Sequence, residues 1–374
     1  MKIGLVSGEF PPMPGGVGDF TRILGERLLE QGQDPHVLSR AGSTSDSLPV
    51  SAVSGWGPGC IPAIRAWIRR NRIAIVNLQY QTAAYDMSPF IHFLPRALSV
   101  PVVTTFHDLR YPYLFPKAGP LRDWIVMHLA RSSAGVITTN HEDDRRMQAL
   151  SHRRIIPIGS SVPSLTDGRN DAAEWRRRAC PDDDAFLIGH FGFLKAVKGL
   201  DYLIDAMANL RAAGCKLCLL LIGGHSNTVD KSEDAAYLRR LEERIQQQGL
   251  QDLVAWTGFL PDHEVAACFQ AVDLMALPFT DGASFRRSSL IAALHNACAI
   301  LTTEPAFNVE VFCHATNLWL VPARSATAIE TAIRRLMRDR DQLHRLRAGA
   351  AELSAHFDWD VITRNTIDFL QSTA

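Results

Sequence analysis

LPFTDGASFRRSSLIAALHNACAILTT, residues 277–303, reads as a strand end, a polar loop, a helix and a second strand. The mostly apolar run Val272 to Leu277 has the character of a buried strand, and Thr280, Asp281 and Gly282 break it. Ser284 is a good N-cap residue, and Leu290, Ile291 and Leu294 follow at helical spacing, so the helix is expected from about Ser284. Ala299 to Thr303 is the next strand. A strand–helix–strand run of this kind belongs in a parallel α/β sheet. Arg286 and Arg287 stand in the expected first turn, beside unpaired N–H groups and the positive end of the helix dipole. Cations are disfavoured there unless an anion sits between them, and a phosphate is the natural anion at a helix start that follows a strand. Two solvated arginines paired with Asp281 are the plainer alternative.

The same pattern recurs upstream. Phe186 to Phe191 is a strand, and FGFLKAVKGLDYLIDAMANL (191–210) continues into an amphipathic helix with apolar residues at 200, 203, 204, 207 and 210. Lys198 lies at its start, again where a cation calls for an anion, and Gly199 allows close backbone approach. Strands at Leu217–Ile222, Val254–Thr257 and Leu318–Val321 alternate with helices at Ala235–Gln248, Asp262–Ala271, Thr327–Arg338 and Gln342–His356.

The first half has the same alternation. Ile3–Ser7 is a strand, GEFPPMPGGVGDF (8–20) a loop, Val17 to Glu30 a helix and His36–Leu38 the next strand. Further strands are expected at Ile73–Gln79, Val102–Phe106, Gly135–Thr139 and Ile155–Ile158. Gly15 and Gly16 lie well after the first strand, and Arg40, not an acid, ends the second; both count against a dinucleotide site for hydride transfer. Bare glycine backbone ahead of a helix still admits a phosphate or a sugar. Ligands gather at the carboxyl ends of such strands, which singles out Gln81 with Tyr85, and His107 with Asp108 and Arg110. His107 can donate a hydrogen bond to a bound hydroxyl or simply cap the strand end.

A chain of 374 residues makes two domains of ordinary size, and Pro, Gly, Asn and Asp interleave where a linker is expected. The expected division is 1–163, a linker at 164–184, a second domain at 185–355, and 356–374 as a helix crossing back to the first domain. A formal net charge of zero excludes a general nucleic-acid binder. Seven scattered cysteines read as reduced thiols, and the Cys215–Cys218 pair has no second pair with which to hold zinc. No run resembles a secretory leader or a membrane-spanning helix, so a cytoplasmic protein is expected. The basic stretch IPAIRAWIRRNR, Ile61 to Arg72 with Trp67 at its centre, leaves two readings open. One is a solvated helix face; the other is a contact with the inner face of a membrane.

Six stretches taken in order carry a resemblance: SGEFPPMPGGVGDFTRILGERLLEQGQDPHVL, TTFHDL, IPIGS, FGFLKAVKGLDYLIDAMANL, the LPF…ALHNACAILTT run and FDWDVITRNTIDFL. Together they resemble the family 4 glycosyltransferases over nearly the whole chain. The resemblance implies an α/β fold with two doubly wound Rossmann-like domains facing across a cleft, the GT-B architecture. It implies a retaining, metal-independent transferase with no cofactor, moving a sugar from a nucleoside-diphosphate-sugar donor to a glycan, lipid-linked or small-molecule acceptor. Gly15 and Gly16 would lie on the donor diphosphate, His107 on the donor sugar, Lys198 with Gly199 on the pyrophosphate, and Gly258 beside the nucleobase. The acceptor would fall to the first domain, with Gln81, Tyr85, Asp108 and Arg110 as candidates.

Two departures stand out. Phe193 occupies a place where the family usually has Arg, and Ser284 and Ala292 occupy the places of its two glutamates. The expected compensation is Arg286 or Arg287 as the missing cation, with Asp281 or Ser284 facing the sugar and Gly282 and Ser288 bordering the donor. A non-catalytic nucleotide- or glycan-binding protein of the same fold is the alternative that these losses leave open.

Overall fold

Near-continuous apolar strands set between amphipathic helices fold in this chain as two separate sheets, each parallel throughout. The computed structural model describes residues 1–13, 15–109, 121–164, 171–224 and 231–374. The chain divides into two units, Met1–Gly159 with Asp358–Ala374, and Ser160–Phe357.

In the first unit the order is β1 (Lys2–Ser7), α1 (Gly16–Glu30), β2 (Asp34–Arg40), β3 (Val50–Val53), α2 (Cys60–Asn71), β4 (Ile75–Tyr80), α3 (Leu94–Ala97), β5 (Val102–Phe106), α4 (Leu121–Ser132), β6 (Gly135–Thr138), α5 (His141–Arg146) and β7 (Arg153–Ile155). Its sheet runs β3-β2-β1-β4-β5-β6-β7, so the order reverses between β1 and β4. The two faces bury different residues of the same strands. Ile3, Leu5, Val37, Ile75 and Val103 pack with α1 and the chain's last helix, and Val6, Leu38, Val76 and Val102 pack with α2 and α4.

The second unit contains α6 (Asp171–Ala179), β8 (Phe186–Phe191), α7 (Leu200–Ala212), β9 (Leu217–Ile222), α8 (Lys231–Gln247), β10 (Val254–Trp256), α9 (Asp262–Ala271), β11 (Leu274–Leu277), α10 (Ser288–His295), β12 (Ile300–Thr303), β13 (Trp319–Val321), α11 (Ala326–Leu336) and α12 (Arg340–Ser354). Its sheet runs β10-β9-β8-β11-β12-β13 and reverses between β8 and β11. Ligands of doubly wound sheets bind outside the carboxyl ends of the strands at such reversals. α13 (Trp359–Gln371) returns to the first unit, where Ile362, Phe369 and Leu370 join the core beneath α1.

Four expectations change. Residues 171–184 are not linker, because Arg176 ties α6 to the carbonyls of Ala185 and Ala271 and to Asp273, 3.0 Å away. Cys180 and Cys218 are disulfide-bonded rather than reduced; β9 brings Cys218 beside the turn after α6, with the Cα atoms 5.7 Å apart. Trp67 is 2% exposed and its indole lies over Gly4 of β1, so the tryptophan of the basic stretch fills the core. Only Arg65, Arg69, Arg70 and Arg72 are left at the surface of that stretch as its basic residues. Finally, α10 begins at Ser288, and Arg287 takes the N-cap position. Phe285 packs against Phe312 and Phe357, which draws 284–287 into a turn instead of a helical first turn.

Among the described residues no helix is long and apolar enough to cross a membrane.

Candidate functional site

At the reversal of the second sheet, the loop after β8 and the loop after β11 bring their charged residues together. Gly192, the residue after β8, has φ +123, and a side chain there would sit 3.2 Å from Nζ of Lys198. The Lys198 ammonium donates to Oγ of Ser289 on α10, 2.8 Å away, and lies 5.2 Å from the centre of the Phe279 ring. Arg287 stands over the same ring at 4.5 Å and is ion-paired with Asp281. Two cations thus share one aromatic ring beside the starts of α7 and α10.

The cluster crowds like charges together. Burial, then the Arg287 guanidinium, then Lys195 push the Lys198 ammonium down to about 7. A negatively charged group at this point would relieve the repulsion. His190, fully buried on β8, donates from Nδ1 to the Ala276 carbonyl at 2.8 Å, and burial holds it neutral, down to about 3.

Gly199 shows how closely the loops are packed. Its φ is +73, and an added Cβ would fall 1.9 Å from the Pro278 carbonyl oxygen. Gly199→Ala is therefore expected to lose more than the roughly 1–2 kcal/mol of left-handed strain alone. Denaturant midpoints measure this, and a midpoint equal to wild type would contradict the packing.

The other candidates of this unit fall around the cluster. Gly282 is buried at φ +89 with the Glu304 carbonyl 2.7 Å from where a Cβ would stand, so it holds two loops together. Ser288 is exposed at the start of α10, while Ser284 and Arg286 are half-buried in the preceding turn. Gly258, at φ +67, bridges Gly223 with open space above it; Phe193 and Phe259 are 48% and 87% exposed at the same sheet edge. The partner of Lys198, Ser289, escapes sequence reading. Its one signal is a serine on the buried side of a helix whose neighbours there are Leu290 and Ile291.

In the first unit the reversal lies between β1 and β4. Gly15 precedes α1 with an extended backbone, and a side chain there would meet the Glu9 carboxylate at 2.3 Å. Oε1 of Glu9 accepts from the amides of Val17 at 2.9 Å and Gly18 at 3.2 Å. The start of α1 therefore carries its own anion, with Gly15 half-buried and Gly16 open to solvent. Burial raises the Glu9 carboxyl above its ordinary value against the pull of those two amides. The clue to Glu9 is a carboxylate ahead of a helix whose cap residue, Gly15, has no side chain. Arg40 braces this loop by donating to the carbonyls of Gly8 and Ala84 at 2.9 and 2.8 Å.

His107 follows β5, its Nε2 lies 2.8 Å from Oε1 of Gln79, and its ring meets the edge of Phe20 at 4.9 Å. Burial lowers it to about 4, against a smaller upward pull from Asp108, so the ring is neutral at pH 7. Gln81 is half-buried ahead of a 3-10 turn at Thr82–Tyr85. Tyr85 is 1% exposed and gives its hydroxyl to the carbonyls of Val6 and Gln79, both 2.9 Å away. It is a core residue holding strand ends, not a residue that meets an acceptor. Arg110 lies outside the described residues.

Residues 171–353 match the family described as glycosyl transferases group 1, and 14–159 match glycosyltransferase family 4. The phosphatidyl-myo-inositol mannosyltransferase of Mycobacterium leprae is 24% identical over 100% of this chain and 97% of its own length. The alpha-D-kanosaminyltransferase of Streptomyces kanamyceticus is 28% identical over 60% of this chain and 59% of its own. Among solved structures, HepE of Anabaena, in complex with UDP, superposes with a TM-score of 0.80 at 18% identity over 100% of both chains. Sucrose-phosphate synthase of Thermosynechococcus elongatus gives 0.79 at 18%, covering 99% of this chain and 98% of its own.

Proposed function

This chain belongs to glycosyltransferase family 4, with the GT-B fold, and from that premise we propose that it is a retaining transferase using a nucleoside-diphosphate-sugar donor. The bond from the anomeric carbon to the diphosphate oxygen breaks with its electron pair leaving on the diphosphate, an acceptor hydroxyl oxygen bonds to that carbon, and the hydroxyl proton passes to the departing diphosphate. One observation carries the reading: the Lys198 ammonium and the Arg287 guanidinium sit on one ring at the sheet reversal, with Ser289 and the helix starts beside them. Preorganised cations and amides aimed at a leaving group are the electrostatic contribution that usually dominates such catalysis.

Arg287, not Arg286, takes the part of the cation that the family has at Phe193, since it is the one that shares Phe279 with Lys198. Asp281 orients Arg287 through their ion pair, which leaves Ser284 and Ser288 as the polar side chains for the donor. In the first unit His107 contacts the donor sugar, and Gln81 and Asp108 serve the acceptor. The mannosyltransferase of M. leprae is named for a phosphatidyl-myo-inositol acceptor, which favours a polyol acceptor, lipid-linked or free, whereas the S. kanamyceticus enzyme is named for the amino sugar that it transfers. The exposed arginines of α2 give a lipid-linked acceptor's membrane a basic face to meet.

A panel of nucleotide-sugars and nucleoside diphosphates, scored by thermal shift and by slow donor hydrolysis, tests the proposal. At least one diphosphate should raise the melting temperature, and its sugar conjugate should be hydrolysed. A panel that neither stabilises the protein nor turns over would sink it.

A further inference from the structure

We propose that Gln79, held in place by Asn77, is a positioning residue that fixes His107 as the neutral Nε2–H tautomer and leaves its Nδ1 a hydrogen-bond acceptor; the significance for catalysis rests on the reading above, in which His107 meets the donor sugar. Asn77 and Gln79 are two residues apart on β4, share one face of the strand, and are both fully buried. The chain of polarity starts at a backbone carbonyl, which can only accept. Nδ2 of Asn77 donates to the Val103 carbonyl at 3.2 Å and to Oγ1 of Thr105 at 2.9 Å. Turning the amide over would set its oxygen against the Val103 oxygen, so Oδ1 of Asn77 is fixed as the acceptor for Nε2 of Gln79. Oε1 of Gln79 then faces Nε2 of His107 at 2.8 Å. An amide oxygen has no proton to give, so the proton between them belongs to the imidazole.

The ring has little room to escape this arrangement. The amide of His107 donates to the Tyr80 carbonyl at 3.1 Å, its carbonyl accepts from Oγ1 of Thr139 at 3.3 Å, and Phe20 closes on the ring edge. Burial keeps it neutral. The polarity is then the reverse of what the strand-end position alone suggests. The remaining ring nitrogen receives a hydrogen bond from a hydroxyl and cannot donate one to a phosphate oxygen. The relay therefore selects for a hydroxyl-bearing group at this point and against an anionic one.

Long-range nitrogen–proton NMR on the 15N-labelled full chain tests the tautomer, with His107→Ala to assign the signals. Wild type at pH 7 is expected to show protonated Nε2 and unprotonated Nδ1. Gln79→Met, which fills the same space without an acceptor, is expected to release the ring into a mixture of tautomers. It should also cut kcat/KM for hydrolysis of a nucleotide-sugar found in the panel by about tenfold. Gln79→Glu keeps the acceptor, so the Nε2–H form should persist, with the ring now titrating at higher pH because a carboxylate faces it. A proton on Nδ1 in wild type, an unchanged pattern in Gln79→Met, or an unchanged titration in Gln79→Glu overturns the proposal. Should the relay behave as expected while no nucleotide-sugar that stabilises the protein moves the His107 signals, the tautomer assignment stands and the donor-sugar reading fails.

Discussion

Lys198→Ala is expected to abolish nucleotide-dependent thermal stabilisation and to lower donor turnover by about 10²–10³, the usual cost of losing one preorganised contact to developing charge. The ligand-free protein should melt no lower than wild type. The substitution removes a crowded ammonium that Arg287 and Lys195 already disfavour, so a structural role and a binding role separate in a single experiment. The same crowding makes affinity depend on pH. With the ammonium pushed down to about 7, the free protein has begun to lose that proton at neutral pH, whereas a bound diphosphate favours the charged form. Binding thus takes up a proton, and affinity is greatest below pH 7. It falls as pH climbs above 7, by up to about tenfold per unit. Isothermal titration in two buffers of different ionisation heat measures the proton uptake. An unchanged melting shift in Lys198→Ala, or an affinity flat from pH 6.5 to 8.5, would remove Lys198 from the site.

Arg287→Ala is expected to be nearly as damaging, at about 10² in turnover. It takes one of the two cations off Phe279 and leaves the Asp281 carboxylate without the guanidinium it pairs with, close to where the diphosphate binds. Neutralising that carboxylate should recover part of the loss, so Arg287→Ala with Asp281→Asn is expected to turn over faster than Arg287→Ala alone. Arg287→Lys should recover little, because an ammonium cannot present the planar fork that spans a carboxylate and a phosphate. Steady-state donor hydrolysis gives all three numbers. A change below about threefold in Arg287→Ala would hand the compensating role to another residue.

The alternation of both sheets is legible because strands such as LCLLLI are buried on both faces and read as unbroken apolar runs. β3, VSAV, escapes for the opposite reason: it is a short edge strand with only Val53 buried. Lys198 and Arg287 are conspicuous in the sequence because a cation near a helix start is out of place, and the fold does bring them together on Phe279. The register of α10 is not legible, since capping preference points to Ser284 while the tertiary packing of Phe285 decides the turn. Ser289, Glu9 and Asn77 are ordinary polar residues in the sequence, and Gln79 stands out there only as one of the amides at a strand end that would suit sugar contact, not as a partner of His107. Ser289 acquires meaning from a lysine 91 positions away, and Gln79 from a histidine 28 away. Trp67 misleads in the other direction. Its arginine neighbours suggest an interface, whereas the small Gly4 beneath it supplies the space that buries it.

The return of α13 to the first unit bears on how the molecule is made. Ile362, Phe369 and Leu370 complete the layer beneath α1, yet the whole of Ser160–Phe357 is synthesised before they appear. On the ribosome the earlier half must wait with an apolar groove uncovered, while the later half, being one uninterrupted segment, can close its own core first. Completion of the first unit's core therefore waits on the last residues synthesised, which leaves its apolar layer exposed for longest.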